Sequence, residues 1–396
     1  TSPFDWKFSG CITKGIRIGT LDLIRQMLNL DIYPWAPGEG SVGYLGVEGH
    51  FVMAYIGEGK IYDHGEPLPA DQVLAKYGIE RLKLSYKEGL SMLNGTITVT
   101  AMGLLALYES VITMQNVEIA GALCYEALRG TDRELDPRIH AAKKHDEQIA
   151  AASNLRRMLS GSEIGEKYRN SKVQDAYVMR SMAHIHGAAK KLISEAYEVI
   201  VNEMHSVSDN PEIFAEGEDD GVALMCGNFD GSFVGSHADM LAMAAAIAGN
   251  LVERGTDRMV NRNLNDGLPA FLVSNPGLNS GFMIPQYTAA SIVSQSKGLC
   301  MPASVDSIPS SQGQEDHVSM GSNAATKLWR VVCNTERVLA IELFNAAQAI
   351  EFRRPAHTSP ELERMLADYR KEVPFIDNDE VMYPHIEASV RFLRGL

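Results

Sequence analysis

Residues 236–260 read SHADMLAMAAAIAGNLVERGTDRMV. Met240, Ala244, Ile247 and Leu251 fall on one helical stripe, and Leu241, Ala245, Ala248 and Val252 fall on the next. A helix over this stretch is therefore apolar around most of its circumference and belongs inside a bundle. The pattern returns over 323–352 through Leu328, Val331, Val338, Leu339 and Phe344, with Pro355 where a helix would stop. A third helix is predicted over 183–204, ending before the turn Ser208-Asp209-Asn210-Pro211. The implied fold class is mainly α, a long-helix bundle.

The first 85 residues differ, with Pro34, Pro37, dense glycines and short β-like runs around 51–56 and 60–63. They are read as a loop-rich N-terminal cap (1–85) on a central helical bundle (86–354), followed by a C-terminal helical tail (355–396). Residues 262–285 form a second Gly, Pro and Asn-rich interruption, and loops of that length tend to line sites.

With 396 residues, 45% of them hydrophobic and 22% charged, the chain has enough apolar content for a large core. Its five cysteines are odd in number, far apart and free of C-x-x-C pairs, which suggests neither a disulfide framework nor a zinc ribbon. A reducing, cytoplasmic location is the expectation. No apolar run is expected to reach the roughly 18 residues of a membrane span, and no secretory signal is read. A net charge of −14 without a basic run argues against nucleic acid and leaves a small molecule as the expected partner.

Gly38-x-Gly40-x-x-Gly43 matches the dinucleotide fingerprint, and Asp63 lies 20 residues beyond it. The context refuses it. A strand should precede the motif, where Pro34 and Pro37 stand, and a helix should open after it, where Gly46 and Gly49 interrupt the segment. Among 11 histidines there is no H-E-x-x-H, and His184 and His186 project roughly 200° apart on a helix. They are read as satisfied helix histidines, and no metal is expected.

Polar residues in apolar surroundings carry more, since burying them costs free energy unless each finds a partner or serves a ligand. In VQDAYVMR (173–180) a helical reading puts Gln174, Tyr177 and Arg180 on one face, able to meet one ligand, or else simply exposed. In EGLSMLNGT (88–96) Asn94 either approaches a cofactor or caps the next helix, and a glycosylated Asn94-Gly95-Thr96 does not suit a chain without a secretory signal. In SVDSIPSSQGQEDHVSMG (304–321) Glu315, Asp316 and His317 adjoin a Ser, Gly and Gln-rich loop, where a helix start and a catalytic loop both fit.

These three segments occur in order with KGIRIG (14–19), GSVG (40–43), HGAA (186–189), SDNP (208–211), GNFDG (227–231), GLNSGFMIPQYTAA (277–290) and ERVLAIEL (336–343). The set resembles the aromatic amino acid ammonia-lyase family, nearest to its histidine-specific branch. The resemblance implies a helical homotetramer and an electrophile, 4-methylidene-imidazol-5-one, made from an internal Ala-Ser-Gly triad that should come after GSVG in the cap. Here Tyr44 succeeds Gly43 at once, and the next shared stretch, His50 to Ile56-Gly57-Glu58-Gly59, arrives three residues early. Either the triad is deleted, or it has fused into a group that a twenty-letter sequence omits. A gap of that size at the one place where the family builds a modified group favours fusion.

By the same resemblance Asn94, Tyr177 and Glu315 are the catalytic residues, with Asn94 and Tyr177 beside the electrophile. Gln174, Arg180 and Phe229 bind substrate, Arg180 through its carboxylate, and Gly43 and Tyr44 flank the prosthetic group. A carboxylate at Glu315 suits a substrate bearing an imidazole or an additional cationic group. Three departures point to a reshaped pocket: Tyr44-Leu45-Gly46-Val47-Glu48 for the family's Asp-Leu-Ala-Pro-Leu, Asp230 for a common His, and Met182-Ala183 near a usual Gln-Pro pair. The family also leads one to expect a longer segment before KGIRIG bringing a tyrosine loop, which places the general base outside this chain and leaves the continuity of Thr1 to Gly10 open. The expected function is L-histidine to urocanate. The alternatives are a lyase or 2,3-aminomutase acting on another aromatic or modified amino acid, and an inert paralogue serving as an oligomeric binding protein.

Overall fold

A computed structural model describes residues 14–43, 46–217 and 220–396. In chain order the helices are α1 Ile18–Asn29, α2 Glu48–Tyr55, α3 Ala70–Tyr77, α4 Glu88–Leu93, α5 Ile97–Ala127, α6 Pro137–Lys143, α7 Asp146–Met158 and α8 Glu163–Tyr168. The series continues with α9 Tyr177–Arg180, α10 Met182–Met204, α11 Ser232–Val260, α12 Met283–Leu299, α13 Gly321–Glu351, α14 Pro360–Tyr369 and α15 Tyr383–Arg394. Strands β1 Ile32–Pro34, β2 Lys60–Asp63 and β3 Glu66–Pro69 form one antiparallel sheet in that order, and β4 Glu212–Ala215 pairs with β5 Gly221–Leu224. The mainly helical class and the three long helices read from the sequence are all present.

Two compact units interleave along the chain. The first takes the described residues up to Leu105 with Ala196–Asp239 and Pro302–Leu328; the second takes Ala106–Glu195, Met240–Met301 and Trp329–Leu396. Helices α5, α10, α11 and α13 each contribute to both.

In the first unit, Leu23 and Met27 lie four residues apart on α1 and turn the same face inward. They join Ile32 of β1, Ile61 of β2, Ala54 of α2 and Val73 and Leu74 of α3 in one buried cluster. The strand expected at 60–63 is found, paired through Ile61 to Leu68. The β-like run at 51–56 is instead helix α2, ending at Gly57 with φ 85°. A short apolar run fits either element by periodicity, and a helix-favouring Met53-Ala54 followed by a glycine able to adopt the left-handed region decides it. Among the described residues, the cap therefore contains helices α1 to α3 and a sheet as well as its loops.

In the second unit, Val117, Ala120, Leu123, Cys124 and Ala127 of α5 are all buried. The stretch Glu88–Ala127 reaches a mean hydropathy of 1.6 over 18 residues, long and apolar enough to cross a membrane, which corrects the expectation that no such run exists. Polar groups in its C-terminal half have protein partners, as in a core helix: Asn154 donates to Glu118 at 2.8 Å, Ser162 to Glu126 at 2.5 Å, and Asn116 to the Leu393 carbonyl at 2.8 Å, while Thr98 Oγ1 and Thr100 Oγ1 are buried without a hydrogen-bond partner. Side chains cap the starts of α6 and α14, Asp136 accepting from Arg138 N and Ser359 from Leu362 N, each with proline in the first turn.

The histidine reading also changes. His186 is 1% exposed with Nδ1 unpartnered, and burial pushes its pKa down to about 3, so it sits as a neutral ring in an apolar layer. His184 Nδ1 is likewise buried and unpartnered, its ring 5.4 Å from that of His140.

Phe344 is fully buried on α13, 4.6 Å between ring centroids from Phe282. Phe344→Ala should destabilise the protein by about 3–5 kcal/mol in chemical denaturation; a loss well under 1 kcal/mol would show that this layer is not core.

Candidate active site

Helix α4 is entered through Lys87, a non-glycine residue at φ 63°. The cost of that backbone is offset by the two side chains at the entry. Glu88, fully buried, accepts from Arg17 N at 3.1 Å, Arg17 Nε at 3.0 Å, Thr20 Oγ1 at 2.7 Å and Ser85 N at 2.9 Å. Burial alone opposes its charge, but the hydrogen bonds from Arg17, Thr20 and Ser85 outweigh it and bring its pKa down to about 2. Lys87 turns the other way and places Nζ 2.5 Å from Asp209 Oδ2, 3.2 Å from Ser91 Oγ and 3.1 Å from the Lys14 carbonyl.

At the far end of α4, Asn94 leaves the helix in extended conformation (φ −89°, ψ 143°). Its side chain does not cap α5. Nδ2 donates to Asp209 Oδ1 at 3.0 Å and to Asn210 Oδ1 at 2.5 Å, with Asn94 only 3% exposed. Gly95 comes next at φ 107°, and a Cβ there would overlap the Ser208 carbonyl oxygen. Only glycine permits this approach.

Gly43 is packed against the Ser319–Gly321 segment, so that a Cβ on it would overlap Ser319 Oγ and lie 3.1 Å from Gly321 N. A Cβ on Gly231 would meet Ser319 Oγ at 3.0 Å, the Gly43 carbonyl at 3.4 Å and Thr96 Cγ2 at 3.6 Å. The loop carrying Gly43, the turn after Asn94, the start of α11 and the start of α13 thus converge. Phe229 and Val42 pack against buried Val318 and Met320 beside them. Tyr44 lies outside the described residues, as do the Gly43–Tyr44 spacing that would distinguish fusion from deletion and the stretch Thr1–Gly10.

Glu315 is half-buried on the loop before α13, accepting from Ser310 Oγ at 2.5 Å while Ser310 and Glu315 pair as an isolated bridge. Helix α13 starts only at Gly321, so Glu315 sits in a loop and not at a helix start.

In the second unit the structure brings Gln174, Tyr177 and Arg180 together, though only Tyr177–Arg180 is helical. Arg180 Nη1 donates to the Gln174 side-chain oxygen, and the guanidinium lies 4.6 Å from the Tyr177 ring centroid. Asp175 anchors the segment, accepting from Thr131 N at 2.6 Å and from Lys172 Nζ at 2.9 Å while its own N–H donates to Glu134 at 2.9 Å. Tyr177 borders an apolar groove of about 620 Å³ with Ile185, Met243, Ile247 and Leu251. The supporting residues Lys87, Asp209, Asn210, Asp175 and Ser319 escaped the sequence reading; for Asp209, Asn210 and Asp175 the signal was a charged or amide group inside a matched motif.

The chain matches the aromatic amino acid lyase family model over residues 12–371. It is 43% identical over 384 residues to a histidine ammonia-lyase of Symbiobacterium thermophilum, covering 96% of this chain and 75% of that protein. Among solved structures it is similar to a histidine ammonia-lyase from Trypanosoma cruzi (TM-score 0.90, 36% identity, 96% of this chain and 73% of that one). It is also similar to a tyrosine aminomutase from Streptomyces globisporus (TM-score 0.89, 33% identity, 96% and 76%). The chain belongs to the aromatic amino acid lyase family. It is a carbon–nitrogen lyase of the ammonia-lyase type.

Two of the lyase's departures from the family pattern are absorbed by local packing. Asp230 accepts from Ser232 N at 2.9 Å at the start of α11, where an acidic acceptor meets the free N–H groups of a helix. Met182 and Ala183 are 2% and 1% exposed at the start of α10, Met182 facing Gly121 of α5. Of the third, Tyr44 and Leu45 lie outside the described residues, whereas Val47 and Glu48 are buried.

Gly95→Ala should push the Asn94 turn off Ser208 and lower kcat by about 100-fold, the scale of a displacement near 1 Å at a reacting site. Wild-type kinetics in that variant would show that the turn tolerates a Cβ and does not set the geometry.

Proposed function

We propose that this lyase eliminates ammonia from L-histidine to give urocanate, as a homotetramer, and that 4-methylidene-imidazol-5-one stands at the Gly43–Tyr44 junction. The glycine-only approaches around Gly43 and the spare oxygen of the Asn94 amide suit a planar group carried on the backbone there. When present, that group supplies an electrophile that makes the substrate amine a better leaving group. Gly43 and Tyr44 would flank it, with Phe229 and Asn94 beside it.

The chain's own residues do the binding. Arg180 grips the substrate carboxylate in a two-pronged ion pair, already oriented by Gln174 and the Tyr177 ring. Tyr177 contributes its hydroxyl next to the reacting carbons. Glu315 accepts from the imidazole N–H of the substrate; its carboxylate, held by Ser310, is the observation that carries histidine as the substrate. The likeness to a tyrosine aminomutase supports a second reading, return of the amine to the β-carbon.

Purified protein incubated with L-histidine, L-phenylalanine and L-tyrosine should form urocanate from the first alone, read by ultraviolet absorbance, with a tetramer mass by light scattering. A β-amino acid product would establish the aminomutase, and silence with every substrate, or a monomer, would sink the corresponding part of the proposal. Arg180→Ala should raise KM about ten- to hundredfold, the worth of a charge-assisted hydrogen bond, without changing the tetramer. An unchanged KM removes Arg180 from carboxylate binding.

A further inference from the structure

The orientation of a side-chain amide is decided by its neighbours, and at Asn94 the neighbours leave no choice. Asp209 is fully buried and its Oδ2 lies 2.5 Å from Lys87 Nζ, an ion pair in which the carboxylate is a pure acceptor. The Asn94 atom 3.0 Å from Asp209 Oδ1 must therefore be the nitrogen, and its second N–H is taken by Asn210 Oδ1. Lys87 is equally committed, since its three N–H groups face Asp209, Ser91 and the Lys14 carbonyl. Turning the amide over would set its oxygen against a buried carboxylate. What is left over is Asn94 Oδ1, to which no described residue donates.

We propose that Lys87 and Asp209 are positioning residues that hold the Asn94 amide with its oxygen toward the reacting groups, where it accepts a hydrogen bond from the ammonium of the amino-acid substrate. This rests on the reading of Asn94 as a residue of the active site, and it makes Asn94 an acceptor for the amine and not a donor to developing negative charge. Both N–H groups of a donor would have to leave Asp209 and Asn210 first.

A charge swap tests this in the intact enzyme. Asn94→Asp alone faces Asp209 carboxylate to carboxylate; it should lower the melting temperature and reduce kcat/KM by at least about 100-fold. Asp209→Asn alone frees the amide to turn and should cost about tenfold in kcat/KM. The double variant Asn94→Asp, Asp209→Asn restores one donor and one acceptor across the pair and still presents an oxygen, now charged. It should recover the melting temperature and kcat to within about tenfold of the parent, with KM for the cationic amino acid several-fold lower. No recovery of kcat in a swap that regains its melting temperature means that the nitrogen is the working atom, and overturns the proposal. Recovery with KM unchanged means that the pair is only structural, and also overturns it. Asn94→Ala separates the premise: full activity there removes Asn94 from the site altogether, whatever the swap does.

Discussion

The carboxylate of Asp209 is the constraint on which the architecture around α4 depends. A fully buried charge is tolerated only when paired and hydrogen-bonded, so every group that meets it is held in place by the cost of leaving it alone. Its two oxygens take Lys87, Asn94 and the Asn210 N–H, and its backbone carbonyl takes Cys226 Sγ at 3.3 Å. The carboxylate thereby fixes the entry to α4, the exit from α4 and the turn at 208–211, and the same residue's backbone carbonyl holds the chain ahead of α11. Glu88 repeats the device one residue from Lys87, tying the start of α1 to the same helix. Neighbouring residues of opposite charge thus brace one short helix of six residues from two sides, which its own backbone hydrogen bonds would not do.

The convergence of backbones is a consequence of that bracing. With the Asn94 turn set by Asp209, Gly95 rests on the Ser208 carbonyl and Thr96 donates to Glu203. Thr96 in turn borders Gly231, which borders Gly43 and Ser319. Spacing along the chain made Gly38, Gly40 and Gly43 look like a nucleotide turn, but the glycines that matter to Gly43 come from GNFDG and from the segment before α13. Close packing of this kind transmits small shifts and does not absorb them, because the glycines carry no side chain and those that meet them, Ser319 and Thr96, are short.

The long helices were legible because their apolar residues repeat over many turns, and a repeat of that length has no strand equivalent. The failures have a common cause in short range. The run at 51–56 is too brief for period to separate strand from helix. Asn94 had a local explanation as a cap, yet its partner is 115 residues away in sequence, and Lys87 finds Asp209 across 122. Gln174 and Arg180 were placed together for partly the wrong reason: the helix covers only 177–180, and the pairing comes from a loop anchored by Asp175. His186 reads from the sequence as a satisfied helix histidine, whereas its burial leaves the ring neutral and Nδ1 without a partner.

Substrate choice depends on which departures reach a ligand and which are spent on the fold. Asp230 replaces a ring with an acceptor, but that acceptor is used by the first turn of α11, so the change supplies a cap in exchange for whatever the ring did. Met182 and Ala183 fill core volume, Met182 against Gly121 of α5. Neither change therefore adds a polar group to a binding surface. Glu315 differs from both. It is partly exposed, its hydroxyl donor comes from its own loop, and one of its oxygens remains for a ligand donor. An aromatic hydrocarbon ring brings no N–H to such an oxygen and would leave it without a ligand donor, whereas an imidazole brings one. On the proposed reading of Glu315 as a substrate-binding residue, that difference between a met and an unmet acceptor, more than the gain from any single hydrogen bond, favours histidine.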